Sequence, residues 1–413
     1  MNAIKRRAKV RLISYFCIMS RIAMNTTTQV FIGQHLHDDV NDLALRKAPA
    51  DVDLALALRQ IMARQLLEKK VPSWSTRDDL LFPPHLSIEQ CSSEATAAYK
   101  ATLLTGKRLV DLTGGLGIDS YFMAPQFEQA VYVEQDNMLC DLAKHNFQQL
   151  QSTIEVVHQR AEDYVEQSLP IDCIFIDPAR RNSNGRKVFG ISDCMPDVAQ
   201  LQEKLLGKAS QVLVKLSPML DIAQALKALH HVKEVHVVSV SNECKELLLL
   251  MERGWEAMPK FCCVNLKSSQ KAVSFYLDEE QGCPLRLSED VMRYLYEPNA
   301  SLLKAGCFKA IAQRYNLYKL HVNSHLYTSE QLLCDFPGRV FEVTGSERYG
   351  KRIWQTLLGD LTKVSIAVRN FPLSAADLRK VLHLSDGEEA YLFATTLRQG
   401  EKVVIRTRKV ENR

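Results

Sequence analysis

Hydrophobic and polar positions divide the chain into three kinds of stretch. Over residues 30–70 the pattern is helical. Val52, Ala55, Leu58, Met62 and Leu66 recur at three- and four-residue spacing, which predicts one packed stripe, and Pro72 ends the run. From Leu109 onward short apolar runs alternate with longer amphipathic segments. Strands are predicted at 109–110, 130–134, 154–158, 171–176, 211–216, 234–240 and 271–277, the fourth almost wholly apolar. Residues 279–330 form a smaller unit, with Tyr294, Tyr296, Pro298 and Tyr315 around a helical stretch at 301–304. The last stretch, 331–413, predicts a strand at 339–343, a helix at 349–358 and a strand at 363–368. A helix at 375–382 and a hairpin, 390–397 with 403–408, turning at Gln399-Gly400, complete it.

Strands alternating with helices predict an α/β fold with a parallel sheet. At 413 residues, with 46% hydrophobic and 24% charged residues, the chain has the make-up of a globular protein of about three domains. No apolar run reaches the ~18 residues of a membrane-spanning helix. The eleven cysteines are scattered, and no C-x-x-C pair occurs. That pattern points to a reducing, cytoplasmic setting and to no structural metal site. His35, His37, Asp38 and Asp39 read as a helix start with acids near its positive end and not as a metal cluster. Residues 1–24 carry six basic residues and no acid; they are expected to be a disordered or mis-started extension, with Met24 a plausible start.

The chemistry concentrates at 108–120, RLVDLTGGLGIDS. A short strand reaches Asp111, a turn with Gly114, Gly115 and Gly117 follows, and Ile118-Asp119-Ser120 can open a helix. Such a strand, turn and helix N-terminus cradles the polar end of a nucleotide-like ligand. A dinucleotide fingerprint is incomplete, because the third glycine position counted from Gly115 is Ser120. Three further strands end in acids or polar residues. Glu134 is followed by Gln135, Ala161-Glu162-Asp163 follows the third strand, and Asp177-Pro178-Ala179-Arg180-Arg181 follows the fourth. Upstream, Ser92 or Ser93 can cap a helix at 95–100, and Gln90 and Ser93 carry donors near the turn.

The pattern Asp-x-x-x-Gly-x-Gly resembles the first motif of class I S-adenosylmethionine (SAM) methyltransferases. More widely, PPHLSIEQCSSEAT at 83–96, DLTGGLGID at 111–119, IDPARR at 176–181, KLSPMLD at 215–221 and YLYEPNA at 294–300 resemble one bacterial family of such enzymes. That family has a ferredoxin-like insert and a C-terminal THUMP-like domain. The resemblance implies a Rossmann-like sheet of seven strands, one antiparallel, with a helical N-terminal region and small α+β C-terminal domains. The expected divisions are 25–95 helical, 96–278 SAM-dependent methyltransferase, 279–330 ferredoxin-like and 331–413 THUMP-like. The implied cofactor is SAM. Asp111 would face its methionine amino group, Glu134 its ribose hydroxyls and Asp163 its adenine. Thr113, Gly114, Gly115, Gly117, Asp119 and Gln135 would complete the cradle, with Gln90 and Ser93 over the methionine end.

On the acceptor side the resemblance places Asp177, Pro178 and Arg180. Amine methylation in related enzymes has an aromatic where Arg180 stands. The D-P-x-R form is similar to uracil-C5 RNA methyltransferases, but these need a cysteine at the end of the fifth strand. Here that strand ends Lys215-Leu216-Ser217-Pro218, and Cys244 is the nearest substitute; a buried, inert thiol is its simpler reading. Structured RNA is the expected partner, since THUMP domains serve RNA-modifying enzymes. Residues 331–413 hold 14 Lys and Arg against 10 Asp and Glu. Arg369, Lys380, Arg398, Arg406, Arg408 and Lys409 are the expected phosphate contacts. A small-molecule or protein methyltransferase, an RNA-binding protein that retains SAM without turnover, and a NAD-linked oxidoreductase stay open as alternatives.

Overall fold

The computed structural model describes residues 24–180, 191, 194–350, 353–359, 361–388 and 390–410. The expected extension lies outside them apart from Met24, as does Arg181. The chain forms two compact units. One runs up to Lys215 and includes Ala228–His230 and Met251–Gly254; the other comprises Leu216–Lys227, His231–Leu250 and Trp255 onward.

In the first unit the predicted helical stretch is three helices, Thr26–Gln34, Val40–Leu45 and Leu54–Lys70. Side chains of Asn25, Asp39 and Asp53 cap them. His35 Nδ1 pairs with Asp38 Oδ2 at 2.8 Å. The packed stripe of the long helix is not the expected one. Ala57, Gln60, Ile61, Ala63, Arg64 and Leu67 are buried, whereas Ala55 is exposed and Val52, Leu58, Met62 and Leu66 are half-buried.

The buried polar residues serve the backbone of a neighbouring segment. Gln60 Nε2 donates to the Phe82 carbonyl at 3.0 Å, and its Oε1 accepts from the Phe82 N–H at 3.1 Å. Arg64 Nη2 donates to the Leu80 carbonyl at 3.2 Å, and its guanidinium lies 5.2 Å from the Phe82 ring centre. From elsewhere, Asn146 treats Leu81 likewise, donating to its carbonyl at 2.8 Å and accepting from its N–H at 2.9 Å. The apolar segment Leu80-Leu81-Phe82 therefore crosses the interior with side-chain amides in place of a neighbouring strand. Hydropathy scores Gln and Arg as surface residues, which is why it selects the wrong face.

The first unit's sheet contains β1 (Arg108–Asp111), β2 (Gln129–Glu134), β3 (Glu155–His158) and β4 (Ile171–Ile176). A two-residue ladder, β5 (Ala179–Arg180) with β6 (Cys194–Met195), stands apart, and β7 (Ala209–Leu216) completes the sheet. The order is β3-β2-β1-β4-β7, all parallel. The N-terminal helices join its core: Leu67, Val71, Trp74 and Phe82 pack in one cluster with Leu116, Ile118, Tyr132 and Phe147.

The second unit continues with β8 (Val232–Val240), β9 (Glu243–Glu252), β10 (Lys260–Leu266) and β11 (Val273–Tyr276), in the order β9-β8-β10-β11. β8 turns into β9 through Ser241 and Asn242, both at positive φ (50° and 66°). The strand expected at 271–277 is β11, antiparallel to β10. The sequence leaves β9 unassigned because Leu247 to Met251 are all buried, a continuous run without alternation.

Beyond them an eight-stranded sheet contains β12 (Tyr294–Pro298), β13 (Tyr318–Lys319), β14 (Tyr327–Ser329), β15 (Gly338–Arg348), β16 (Lys363–Arg369), β17 (Ser385–Asp386), β18 (Ala390–Thr396) and β19 (Lys402–Lys409). Its order is β13-β14-β12-β15-β19-β18-β16-β17. Among the described residues of the helix expected at 349–358, a π-helical turn forms over Trp354–Leu358, and the strand expected at 339–343 is the longer β15, ending at Arg348. The hairpin forms as β18 and β19, and the helix before it as Ala375–Val381.

Replacing Gln60 by Ala would leave the Phe82 peptide unpaired inside the core. We expect a loss of about 2–4 kcal/mol in denaturant unfolding; a change within about 0.5 kcal/mol would show that water or rearrangement satisfies those groups.

Candidate functional site

Strand order turns at β1, with β2 and β3 on one side and β4 and β7 on the other. A parallel sheet opens a crevice at such a point, outside the strand ends. Thr113 ties the two strand ends together, its Oγ1 accepting from the Asp177 N–H at 2.7 Å.

The glycine turn is fixed by its neighbours. Gly114 lies so close under Tyr132 that an added Cβ would sit 2.1 Å from the ring. The Tyr132 hydroxyl donates to the Gly115 carbonyl at 2.6 Å. Gly117 has φ 83° and precedes the helix Ile118–Met123, a conformation glycine adopts at little cost. Glu134 at the end of β2 holds the turn from the other side. Its Oε2 accepts from the Gly115 N–H at 3.0 Å and its Oε1 from the Asp136 N–H at 2.9 Å. Each oxygen keeps a further lone pair for a ligand hydroxyl.

The opposite wall comes from residues 87–92. Lys70 Nζ donates to the carbonyls of Ile88 and Cys91 at 3.2 and 3.4 Å and to that of Glu89, holding the end of the helix His85–Gln90. Ser92 is thereby brought into a buried charge network. Its hydroxyl donates to Asp119 Oδ2 at 2.7 Å and accepts from Lys100 Nζ at 3.3 Å and Lys215 Nζ at 3.0 Å. Lys100 is fully buried and lies 3.1 Å from Asp119 Oδ1; Lys215 lies 2.6 Å from Asp177 Oδ2. Burial alone would favour the neutral acid at Asp119, yet Lys100 and Lys215 hold it below the usual carboxylate range.

The resulting cleft has a cavity volume of about 270 Å³. Of the residues singled out in the sequence, it brings together Gln90, Thr113, Gly114, Gly115, Gly117, Asp119, Glu134, Gln135 and Asp177. Asp111, Ser93, Asp163 and Pro178 are not in its lining. Asp111 is buried beneath the turn, accepting from the Thr113 N–H at 3.0 Å and from the Ser120 hydroxyl. Ser93 caps the helix Glu94–Ala101. Asp163 is exposed, and its neighbour Glu162 lines the cleft instead, since consecutive helical residues do not share a face. The backbone of Arg180 pairs with Cys194 in the β5–β6 ladder; its side chain lies outside the described part.

Sequence reasoning missed Ser92, Met195, Pro196 and Lys215. The first reads as a cap, the next two reach the site through the β5–β6 pairing, and Lys215 reads as one more strand residue. Cys91 is the one cysteine in the lining among the described residues. Burial pushes its thiol up to about 11, and the S–H donates to the Ile88 carbonyl at 3.1 Å, so it is a poor nucleophile. Cys244 belongs to β9 of the second unit.

In the second unit the expected phosphate contacts are largely engaged within the protein. Arg369 Nη2 donates to the buried Glu297 at 2.6 Å, alongside Arg339. Arg408 pairs with Glu342 at 2.6 Å, Arg398 with Glu289 at 3.8 Å, and Arg406 donates to the Leu357 carbonyl at 3.1 Å. Lys380 and Lys409 are exposed. Glu234, His236 and Cys262 offer three potential metal-ligand atoms within 4.8 Å of one another, with His236 and Glu234 already paired at 2.9 Å. Among the described residues no helix is long and apolar enough to cross a membrane.

Comparison with known proteins gives a consistent picture. A ferredoxin-like domain model matches residues 294–337, and a THUMP domain-like model matches 338–409. The crystal structure of a candidate methyltransferase from Porphyromonas gingivalis W83 is 34% identical, with a TM-score of 0.83 over 93% of this chain and 98% of that one. Two uncharacterized S-adenosylmethionine-dependent methyltransferases of Mycobacterium tuberculosis, from strains CDC 1551 and H37Rv, are each 23% identical over 323 residues. Both alignments span 76% of this chain and 84% of the relative.

Two outcomes check this geometry. Gly114→Ala should weaken SAM binding at least ~10-fold in calorimetry, because the turn must move away from Tyr132; unchanged affinity would mean the turn is no cradle. Burial raises Asp111 to about 7, with Asp119 and Asp177 adding to it and hydrogen bonds from Ser120 and Thr113 opposing it. A carboxyl raised above its unfolded value binds more protons in the folded state, so it removes stability as pH rises from roughly 4 to 7. Asp111→Asn should therefore gain thermal stability relative to the parent across that window, and then level off. A difference that does not change with pH would contradict the assignment.

Proposed function

The chain belongs to the bacterial family of class I SAM-dependent methyltransferases with a ferredoxin-like insert and a C-terminal THUMP-like domain, and we propose that it methylates structured RNA in the cytoplasm. Its cofactor is SAM, which supplies an electrophilic methyl group on a sulfonium. The cleft's own features support that fit. A glycine cradle that a Cβ would fill and a rim of carboxylates suit a ligand with cationic and hydroxyl-bearing parts. In this reading Glu134 accepts from the ribose hydroxyls, Glu162 lies at the adenine end, and Thr113 to Gly117 surround the methionine end. Asp177 orients the acceptor, which methyl transfer mainly requires to be held in line and kept from water.

The observation that carries the RNA half is the THUMP-like match over 338–409. A rival reading, a small-molecule or protein acceptor with a purely architectural C-terminal domain, draws on the pairing of Arg369, Arg398 and Arg408 with carboxylates. Salt dependence separates the two. Phosphate contacts release counterions, so affinity for total RNA should fall about 10-fold or more between roughly 50 and 200 mM salt. Incubation with labelled SAM and separate RNA, protein and metabolite fractions should label the RNA; label confined to another fraction would favour the rival. Asp177→Ala should abolish transfer while SAM still binds. Loss of SAM binding as well would remove Asp177 from the acceptor side.

A further inference from the structure

The structure assigns Lys215, at the end of β7, as the residue that positions Asp177 for an acceptor nitrogen bearing hydrogen, such as a nucleobase amino group. This rests on the methyltransferase reading above and adds to it a residue and a class of acceptor. Lys215 lines the cleft and its side chain is 12% exposed. Its ammonium lies 2.6 Å from Asp177 Oδ2, 3.0 Å from Ser92 Oγ and 3.8 Å from Asp119 Oδ2. The ion pair with Asp119 is made chiefly by the wholly buried Lys100, at 3.1 Å. Two lysines thus face two aspartates, and Lys215 sits closer to Asp177 than to Asp119.

A carboxylate held through one oxygen has the other available to accept a hydrogen bond. Asp177 is the half-exposed member of the network, so it is the one a substrate can reach. An acceptor N–H satisfies that oxygen and is oriented by it. Among the described lining residues the one thiol is Cys91, whose S–H donates to the Ile88 carbonyl and whose pKa burial pushes up to about 11, so carbon methylation of uracil by covalent addition finds no nucleophile among them. Met195 and Pro196, brought alongside by the β5–β6 ladder, add an apolar surface on which a planar base can rest. The end of β7, where uracil-C5 enzymes need a thiol, holds Lys215-Leu216-Ser217-Pro218 and no cysteine.

The test compares the full-length protein with Lys215→Met, Lys215→Arg, Asp177→Asn and the Lys215→Met/Asp177→Asn double variant. Each is assayed with labelled SAM against total RNA, protein and metabolite fractions from cells lacking the protein. Lys215→Met should lower turnover by about 100-fold with SAM affinity in calorimetry kept within about three-fold, and Lys215→Arg should restore a measurable part. In the Asp177→Asn background Lys215→Met should add little, and the same non-additivity should appear in the denaturation midpoints of the cofactor-free proteins. Fully additive losses in both readouts would overturn the positioning role. So would a Lys215→Met protein with parental turnover. Digestion of the labelled product should yield a methylated nitrogen; methyl on carbon or oxygen would overturn the acceptor class. Label in protein or metabolite alone would sink the RNA reading while the Lys215 comparison still reads out. No label in any fraction would sink the methyltransferase reading and this role together.

Discussion

A single carboxylate, that of Glu134, joins the glycine turn after β1 to the helix that follows β2. It takes the Gly115 N–H with one oxygen and the Asp136 N–H with the other. Two loops that would otherwise be free to move are thereby set at a fixed separation across the strand ends. The Tyr132 hydroxyl on the Gly115 carbonyl and the Tyr132 ring against Gly114 close the same turn from below. Side-chain size enters as sharply as hydrogen bonding. The ring fills the space a Cβ at 114 would need, so the backbone, with its N–H groups, forms the wall of the cleft.

The other wall depends on buried polarity. Gln60, Arg64 and Asn146 satisfy the peptides of Leu80 to Phe82, and Lys70 gathers the carbonyls at the end of the helix His85–Gln90. This chain of contacts delivers Ser92 to a point where Lys100, Lys215 and Asp119 meet. Buried charges are costly unless paired, and each partner's removal leaves the other stranded. The network therefore fixes where Lys215 and Asp177 sit while keeping the local charge balanced. Stability and the placement of Lys215 and Asp177 in the cleft are served by the same contacts.

How far this was legible in the sequence varies with how local each signal is. β1 to β4, the turn and the acids at 134 and 177 follow from short-range pattern. The stripe on Leu54–Lys70 was misread because its buried face carries Gln60 and Arg64, whose partners lie well away in sequence. β9 hid in a run buried on both faces. Lys215 was visible only as a lysine at a strand end; its meaning comes from Asp177 and Ser92, 38 and 123 residues away. Asp163 and Glu162 are adjacent in sequence, and only the helix phase tells which one lines the cleft. The basic residues of the C-terminal stretch count as a surplus, whereas Arg408 faces Glu342 on the neighbouring β15 and Arg369 faces the buried Glu297 of β12.

The most direct measurement of the central claim is a crystal structure of the protein with S-adenosylhomocysteine. The account predicts the ribose hydroxyls on Glu134, the amino-acid end against Gly114 to Gly117, and the sulfur open toward Asp177 and Lys215. Density for the nucleoside elsewhere, or a Glu134 carboxylate making no contact with it, would contradict the account.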